Sequence, residues 1–276
     1  MSIQRLAPFP FNNPSDFVIR TCNGTPFHVS AIILSLASPF FNDLPRDPPN
    51  PAEEFVFDVP ETDLPIETML RFAYPVPDPI LHDLDDIVEA FLCAKKYQVQ
   101  LATTALGRML LAPRFIEVEP VRVYAIARRF ELSEIWDLAA FHACKTSRDW
   151  PYYEDFTHIS GAQYHALNAY HRQRGAEAVR VLGSTTLCEE PCTRCGKKWE
   201  VKYKKRAEQV LIEAPTSDKA FSNAFVAKCA ADMGCITCSH DILQAMAPKG
   251  SLSKLKSKVA TIYMPFAEES TMYFKS

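Results

Sequence analysis

Over the first forty residues the apolar positions change their spacing, from every second residue to the three-to-four residue steps of a helix. Phe17 and Ile19 alternate with Val18 and Arg20, Asn23-Gly24 is a tight-turn signal, and Phe27-His28-Val29 resumes an extended run. Two short strands joined by a turn are expected. Ser30 is placed to cap a helix whose Ile32, Ile33, Leu34 and Leu36 face a core. Ser38 then precedes Pro39, which suits the first helical position, with Phe40, Phe41 and Leu44 beyond it. After a Pro-rich loop at Asp47 to Pro51, Phe55-Val56-Phe57-Asp58-Val59 alternates as a third strand, and Leu64 to Tyr74 reads as a short helix. Leu84, Ile87, Val88, Phe91 and Leu92 follow helical spacing behind acidic Asp83, Asp85 and Asp86, which suit a helix N-terminus. Leu101, Ala105 and Met109 line up at steps of four on the next helix.

The order from Asp16-Phe17-Val18-Ile19-Arg20 through Ser38-Pro39-Phe40-Phe41 resembles the start of a BTB/POZ domain. The ending Phe72-Ala73-Tyr74 is similar to that family's Leu-x-Phe-x-Tyr pattern. The likeness runs to about residue 112. Two positions depart from the pattern: the usual Val-His pair is inverted to His28-Val29, and Pro75-Val76-Pro77-Asp78-Pro79 replaces a short Thr-Gly turn. The resemblance implies an α+β protein-interaction module over residues 15–112, behind a tail of residues 1–14, with no catalytic site. It also implies a homodimer, formed by the Asp16–Arg20 strand and the Ser30–Leu36 helix, with Phe17, Ile19, Ile32 and Leu36 as interface residues.

Beyond residue 112 the pattern is almost wholly helical. Residues 113–184 read as a helical extension. Pro120 opens a helix with Val123, Ile126, Ala127 and Phe130 on one face, and after Leu132-Ser133 a second face holds Ile135, Leu138, Ala139 and His142. Trp150-Pro151 breaks the pattern before a long helix from about Ser160 to Leu182, with Ile159, Ala162, Ala166, Leu167 and Tyr170 spaced for burial. Helices after a BTB domain resemble the extensions that many family members carry.

Residues 185–276 hold the main chemical signal. Of nine cysteines, six fall between Cys188 and Cys238, and Cys192-Thr-Arg-Cys195 and Cys235-Ile-Thr-Cys238 are two CxxC pairs adjoined by Gly196 and Gly234. A CxxC turn aims two thiolates at one point, and two such turns complete a closed tetrahedral site for structural Zn2+. Cys188, Cys229 and His240 stand as reserve ligands. The gap between the pairs exceeds that of a compact zinc ribbon, and helices over Trp199 to Ile212 and Ser217 to Ala231 are expected to fill it. Three other readings of these cysteines stay open. A redox CxxC wants a βαβ context that neither pair has, disulfides are disfavoured in a cytosolic chain, and unligated cysteines are common core residues.

Composition narrows the function. Hydrophobic residues make up 47% of the 276, enough for folded cores, and a net charge of -3 gives no reason for bulk nucleic-acid binding. With 8 Gly and neither GxGxxG nor GxxxxGK[ST], a phosphate cradle is hard to build. The first residues lack a secretory pattern and no apolar run is long enough to span a membrane, so a cytoplasmic or nuclear protein is expected. Acidic side chains crowd between Asp43 and Glu89, whereas Lys197, Lys198, Lys202, Lys204, Lys205 and Arg206 form a basic run interleaved with Trp199 and Tyr203. Basic-plus-aromatic character is one way to hold nucleic acid. The same residues also suit the solvated face of a helix whose inner side holds Val201, Val210 and Leu211, and nucleic acid is not the expected partner. His158, His165 and His171 do not share a helix face, and there is no nucleophile elbow, so no enzyme is expected.

The whole resembles fungal BTB-domain proteins with a C-terminal cysteine cluster. That resemblance implies an adaptor that self-associates and recruits protein partners, in its sharper form a substrate adaptor on a cullin scaffold of a ubiquitin ligase. The alternative is a nuclear regulator that dimerises through the BTB domain and touches nucleic acid with the basic run.

Overall fold

The computed structural model describes residues 16–44, 55–262 and 264. The N-terminal tail and the loop from Asp47 to Pro51 lie outside the described residues. Contacts divide the chain into two compact units, residues 1–118 and 119–276.

In the first unit, strands β1 (Phe17–Arg20), β2 (Pro26–Val29) and β3 (Phe55–Asp58) form one sheet in the order β2-β1-β3. The central strand pairs antiparallel with β2 and parallel with β3, so Phe17 lies level with Val29 and Phe55, and Ile19 with Phe27 and Phe57. Val18 is buried along with Phe17 and Ile19, so the middle strand is covered on both faces. Helices α1 (Ala31–Ala37) and α2 (Pro39–Asn42) follow β2; α3 (Asp63–Ala73), α4 (Leu84–Lys96), α5 (Gln100–Met109) and α6 (Pro113–Ile116) follow β3. The fold is α+β. Phe41 and Phe57 meet Phe17 and Tyr97 with ring centroids 5.5 to 6.4 Å apart. Each such pair adds about 0.5–1.5 kcal/mol beyond the area it buries.

Ser38 ties this cluster to the helices. Its hydroxyl accepts the Phe41 N–H at 3.3 Å, capping α2, and donates to the Tyr97 carbonyl. Ser30 stands at the head of α1, but its side chain caps nothing. The Asp16 carboxylate accepts the Ala31 N–H instead, at 2.9 Å, and the Ser30 N–H donates to the Tyr74 hydroxyl at 2.8 Å.

Two expected faces are corrected. On α1 only Leu34 is buried, while Ile32 is 64% and Leu36 84% exposed. On α5 the buried line is Ala102 and Leu106, continued by Leu110, one position along from Leu101, Ala105 and Met109. Both Leu101 and Ala102 are apolar, so spacing alone allowed either register.

The second unit is helical: α7 (Pro120–Arg129), α8 (Ser133–Ala143), a single 3-10 turn (Glu154–His158), α9 (Gly161–Ser184), α10 (Trp199–Glu213), α11 (Ser217–Ala220), α12 (Asn223–Ala231), α13 (Ile236–Gln244) and α14 (Ser251–Ala260). Val123, Ile126 and Ala127 are buried as their spacing predicts, as is Phe130, whereas Leu138 on α8 faces out. Helix α9 starts at a reciprocal cap, with the Ser160 hydroxyl accepting the Gln163 N–H and the Gln163 side chain accepting the Ser160 N–H. It approaches α10 closely at Gly175, where a Cβ would stand 3.4 Å from the Leu211 carbonyl oxygen. The helix expected over Ser217 to Ala231 is two helices. Phe221 turns into the core and Ser222 caps α12 through the Phe225 N–H.

Among the polar side chains buried in this unit, His171 and Arg174 lie deepest. Arg174, 1% exposed, donates to the carbonyls of Pro215 at 3.0 Å and Ile262 at 2.7 Å, with its guanidinium 4.8 Å from the centre of the Phe141 ring. His171 is fully buried, with Nε2 3.0 Å from the Thr146 carbonyl oxygen. Burial pushes its pKa below the ordinary value, so the imidazole is held neutral. In the unfolded chain it takes up a proton near pH 6.5. Between that pH and the lower folded value the unfolded state binds more protons, so stability rises with pH there. The histidine's contribution is complete above about pH 6.5 and is lost as the pH falls toward the folded value. Urea midpoints are expected to be lower at pH 5.5 than at pH 7.5, with the gap narrowed in His171→Gln.

Candidate metal centre and interaction face

The loop from α9 to α10 turns sharply at Cys192. Gly196, at φ +67°, lets its N–H reach back to the Cys192 carbonyl at 2.8 Å, and the Cys192 N–H bonds the Lys197 carbonyl at 3.0 Å. The second knuckle is a helix start. Gly234, at φ +69°, delivers the chain to Cys235, which occupies the N-cap position of α13 and leaves Cys238 in the first turn. The two turns converge. The sulfurs of Cys192, Cys195, Cys235 and Cys238 all lie within 4.8 Å of one another, with Cys195 3.5 Å from Cys238 and Cys192 3.9 Å from Cys235. A tetrahedral zinc with Zn–S bonds of about 2.3 Å spaces its sulfurs about 3.8 Å apart. The cluster has the number, type and spacing of donors for such an ion.

Backbone dipoles favour the thiolate form in both knuckles. The N–H groups of Cys195 and Arg194 point at the Cys192 sulfur and bring its pKa down to about 7. The Cys238 N–H, at the head of α13, lowers Cys235. Burial drives Cys238 the other way, well above the usual thiol range. A metal-free cluster therefore holds the Cys238 thiol beside Cys192 and Cys235 sulfurs inclined to ionise. A divalent cation would neutralise that crowding.

The reserve ligands stand apart from this group. Cys229 is buried on α12 beside the Arg206 guanidinium, Cys188 donates to the Glu190 carbonyl at 2.9 Å, and the exposed His240 lies beside Asp241. Cys192 and Cys238 also belong to the core, among Trp199, Tyr203, Leu211, Phe221, Ile242 and Leu255.

The basic run lies on α10 and just before it. Trp199 and Tyr203 point inward, 5% and 0% exposed, so neither offers a ring for stacking, while Val201, expected inside, is exposed. Several cations already have partners: Lys198 donates to the Glu189 carbonyl, Lys202 to the Asp232 carbonyl, Lys204 to the Gly183 carbonyl, and Arg206 pairs with Asp232 at 2.6 Å. The inner line Trp199, Tyr203, Ala207 and Leu211 steps by four along the sequence. Of the three residues expected inside, Leu211 is on this line and Val210 packs half-buried against the core, so Val201 alone is displaced. Of the histidines, His158 and His165 face solvent and His171 is buried, so they share no site.

In the first unit, Phe17 and Ile19 are core residues, 3% and 0% exposed, and have no surface to offer a partner. Of the four residues expected at a dimer interface, Ile32 and Leu36 alone are in the open, one helical turn apart on α1.

Residues 10–113 match the family of the BTB/POZ domain, covering the sheet and the helices through α5 and ending at the first residue of α6. The N-terminal unit is a BTB/POZ domain. Among curated proteins, no match to the chain was found. The BTB domain is a protein-interaction module, and its α1 carries the exposed apolar pair just described. Among the described residues no helix is long and apolar enough to cross a membrane.

Proposed function

We infer that the chain is a non-enzymatic, intracellular adaptor that pairs with a second copy through its BTB domain and recruits other proteins. The observation that carries this reading is α1 of the BTB domain. It is a seven-residue helix with one buried side chain and with Ile32 and Leu36 open to solvent. Apolar residues scattered singly are ordinary on a surface, and two of them on one short helix of an interaction module support a contact face there. The second unit is read as a helical recognition part clamped by one structural Zn2+ on Cys192, Cys195, Cys235 and Cys238. All four positions are taken by protein sulfur, so the ion supplies cross-linking and no open site for chemistry.

The test is light scattering on the full chain at micromolar concentration. A dimer is expected, and Ile32→Asp with Leu36→Asp is expected to give a monomer with unchanged circular dichroism. A wild-type monomer contradicts the reading. Within it, the sharper form is a substrate adaptor on a cullin-type ubiquitin ligase, for which capture of a purified cullin by the chain is the direct measurement. The alternative, a nuclear regulator using Lys197, Lys198, Lys202, Lys204, Lys205 and Arg206 on nucleic acid, has less support, because Trp199 and Tyr203 are buried and several of the cations are engaged. Retention on oligonucleotides at low salt, lost as salt rises, would favour it.

A further inference from the structure

The geometry points to a cysteine cluster that exchanges its metal for two disulfides when a peroxide reaches it. This rests on the zinc reading of the same four residues. Two sulfur contacts, Cys195–Cys238 and Cys192–Cys235, run between the knuckles, and each joins a half-buried residue to a buried one. Cys195 and Cys235 are half-buried, whereas Cys192 is 8% and Cys238 3% exposed. An oxidant therefore meets Cys195 or Cys235 first. In both cases a second sulfur waits on the opposite knuckle, 3.5 Å away for Cys195 and 3.9 Å for Cys235. A reactive cysteine in the open beside a resolving one is the arrangement of a reversible thiol sensor.

The chemistry balances with peroxide as the oxidant. The Cys195 thiolate attacks one peroxide oxygen, the O–O bond breaks, hydroxide leaves and a sulfenic acid forms on sulfur. The Cys238 thiolate then attacks that sulfur, a second hydroxide leaves, and the S–S bond forms. Two electrons have passed from the two sulfurs to the peroxide. Cys235 and Cys192 react in the same way with a second peroxide. Once its thiolate ligands are consumed the cation is released as free Zn2+, and solution protons neutralise the hydroxides.

Where the bonds fall sets the outcome. Each disulfide joins positions 43 residues apart, so it ties the knuckle before α10 to the one that opens α13. The covalent bonds take over the tether that the metal supplied. Bonds inside each CxxC turn would release the metal and leave the two knuckles unconnected.

The experiment uses the full chain, purified reduced and with its metal content measured. Hydrogen peroxide is added stepwise, released zinc is read with a chromogenic chelator, and disulfides are located by peptide mass mapping without reduction. The expected result is about one zinc released for about two peroxides consumed. Peptides joined through Cys195–Cys238 and Cys192–Cys235, an unchanged helical signal, and zinc uptake restored by a thiol reductant are expected with it. Cys192–Cys195 and Cys235–Cys238 bonds, irreversible sulfinic acid, or zinc kept through excess peroxide overturns the proposal. A reduced chain that holds no zinc refutes the metal reading by itself. The pairings mapped in that metal-free chain then decide whether the cross-knuckle disulfides stand.

Discussion

Replacing Cys238 by serine is expected to abolish metal retention and to loosen both knuckles. The residue is 3% exposed and serves two purposes, as a donor in the cluster and as part of the core beside Ile242. Serine keeps the volume but removes the thiolate, so the three remaining sulfurs form an incomplete site. Changes as mild as a lost supporting hydrogen bond weaken metal sites about 10–100-fold, and loss of a ligand costs more. Structural zinc contributes about 10–16 kcal/mol to the folding of small zinc-finger peptides. This unit also has a core of Tyr203, Leu211, Phe221, Leu252 and Leu255, so global unfolding is not expected. The loss should instead be local. Amide exchange is expected to rise on the order of tenfold or more over residues 188–198 and 232–244, and to stay near wild type over α7. Cys229→Ser is the control: it lies outside the cluster, and zinc is expected to stay bound.

The second large effect belongs to Arg174. Its guanidinium bridges the carbonyls of Pro215 and Ile262, 41 and 88 positions along the chain, from inside the core. Arg174→Met keeps much of the apolar stem against Phe141 but leaves both carbonyls without a donor. Each unmade bond of this kind costs about 1–3 kcal/mol, so the variant should lose about 2–6 kcal/mol. Against a usual total of about 5–15 kcal/mol that is a large fraction. Arg174→Lys keeps the charge, yet a single ammonium lacks the planar fork that spans two acceptors, and an intermediate loss is expected. Urea denaturation of the three proteins gives the order directly. Equal midpoints would show that the bridge contributes nothing.

What could be read from the chain and what could not follow from the range of the interactions. The strands, the Ser38-Pro39 start of α2 and both CxxC knuckles were legible because each is set by neighbours a few residues away. Gly196 and Gly234 are local punctuation for left-handed turns, and the four sulfurs they help to aim do converge. Legibility failed where two apolar registers competed. Leu101 is larger than Ala102 and was the natural choice for the core, but packing buried Ala102 and Leu106 and left Leu101 63% exposed. It failed again on α1, where a run of Ile32, Ile33, Leu34 and Leu36 reads as a core helix although only Leu34 is inside. The role of Asp16 as the cap of that helix was hidden because its acceptor works from 15 residues upstream. Arg174 gave no signal at all. A single arginine on a long helix looks solvated until the distant carbonyls that it bridges are known.

Self-association through the BTB domain and a zinc clamp in the helical unit are the two central proposals. Native mass spectrometry of the intact chain under reducing conditions tests both together. The prediction is a species of twice the 31.1 kDa chain mass carrying one zinc ion per chain. A monomer without metal would contradict the account outright. A monomer with zinc would remove the self-association, and a dimer without metal would remove the clamp.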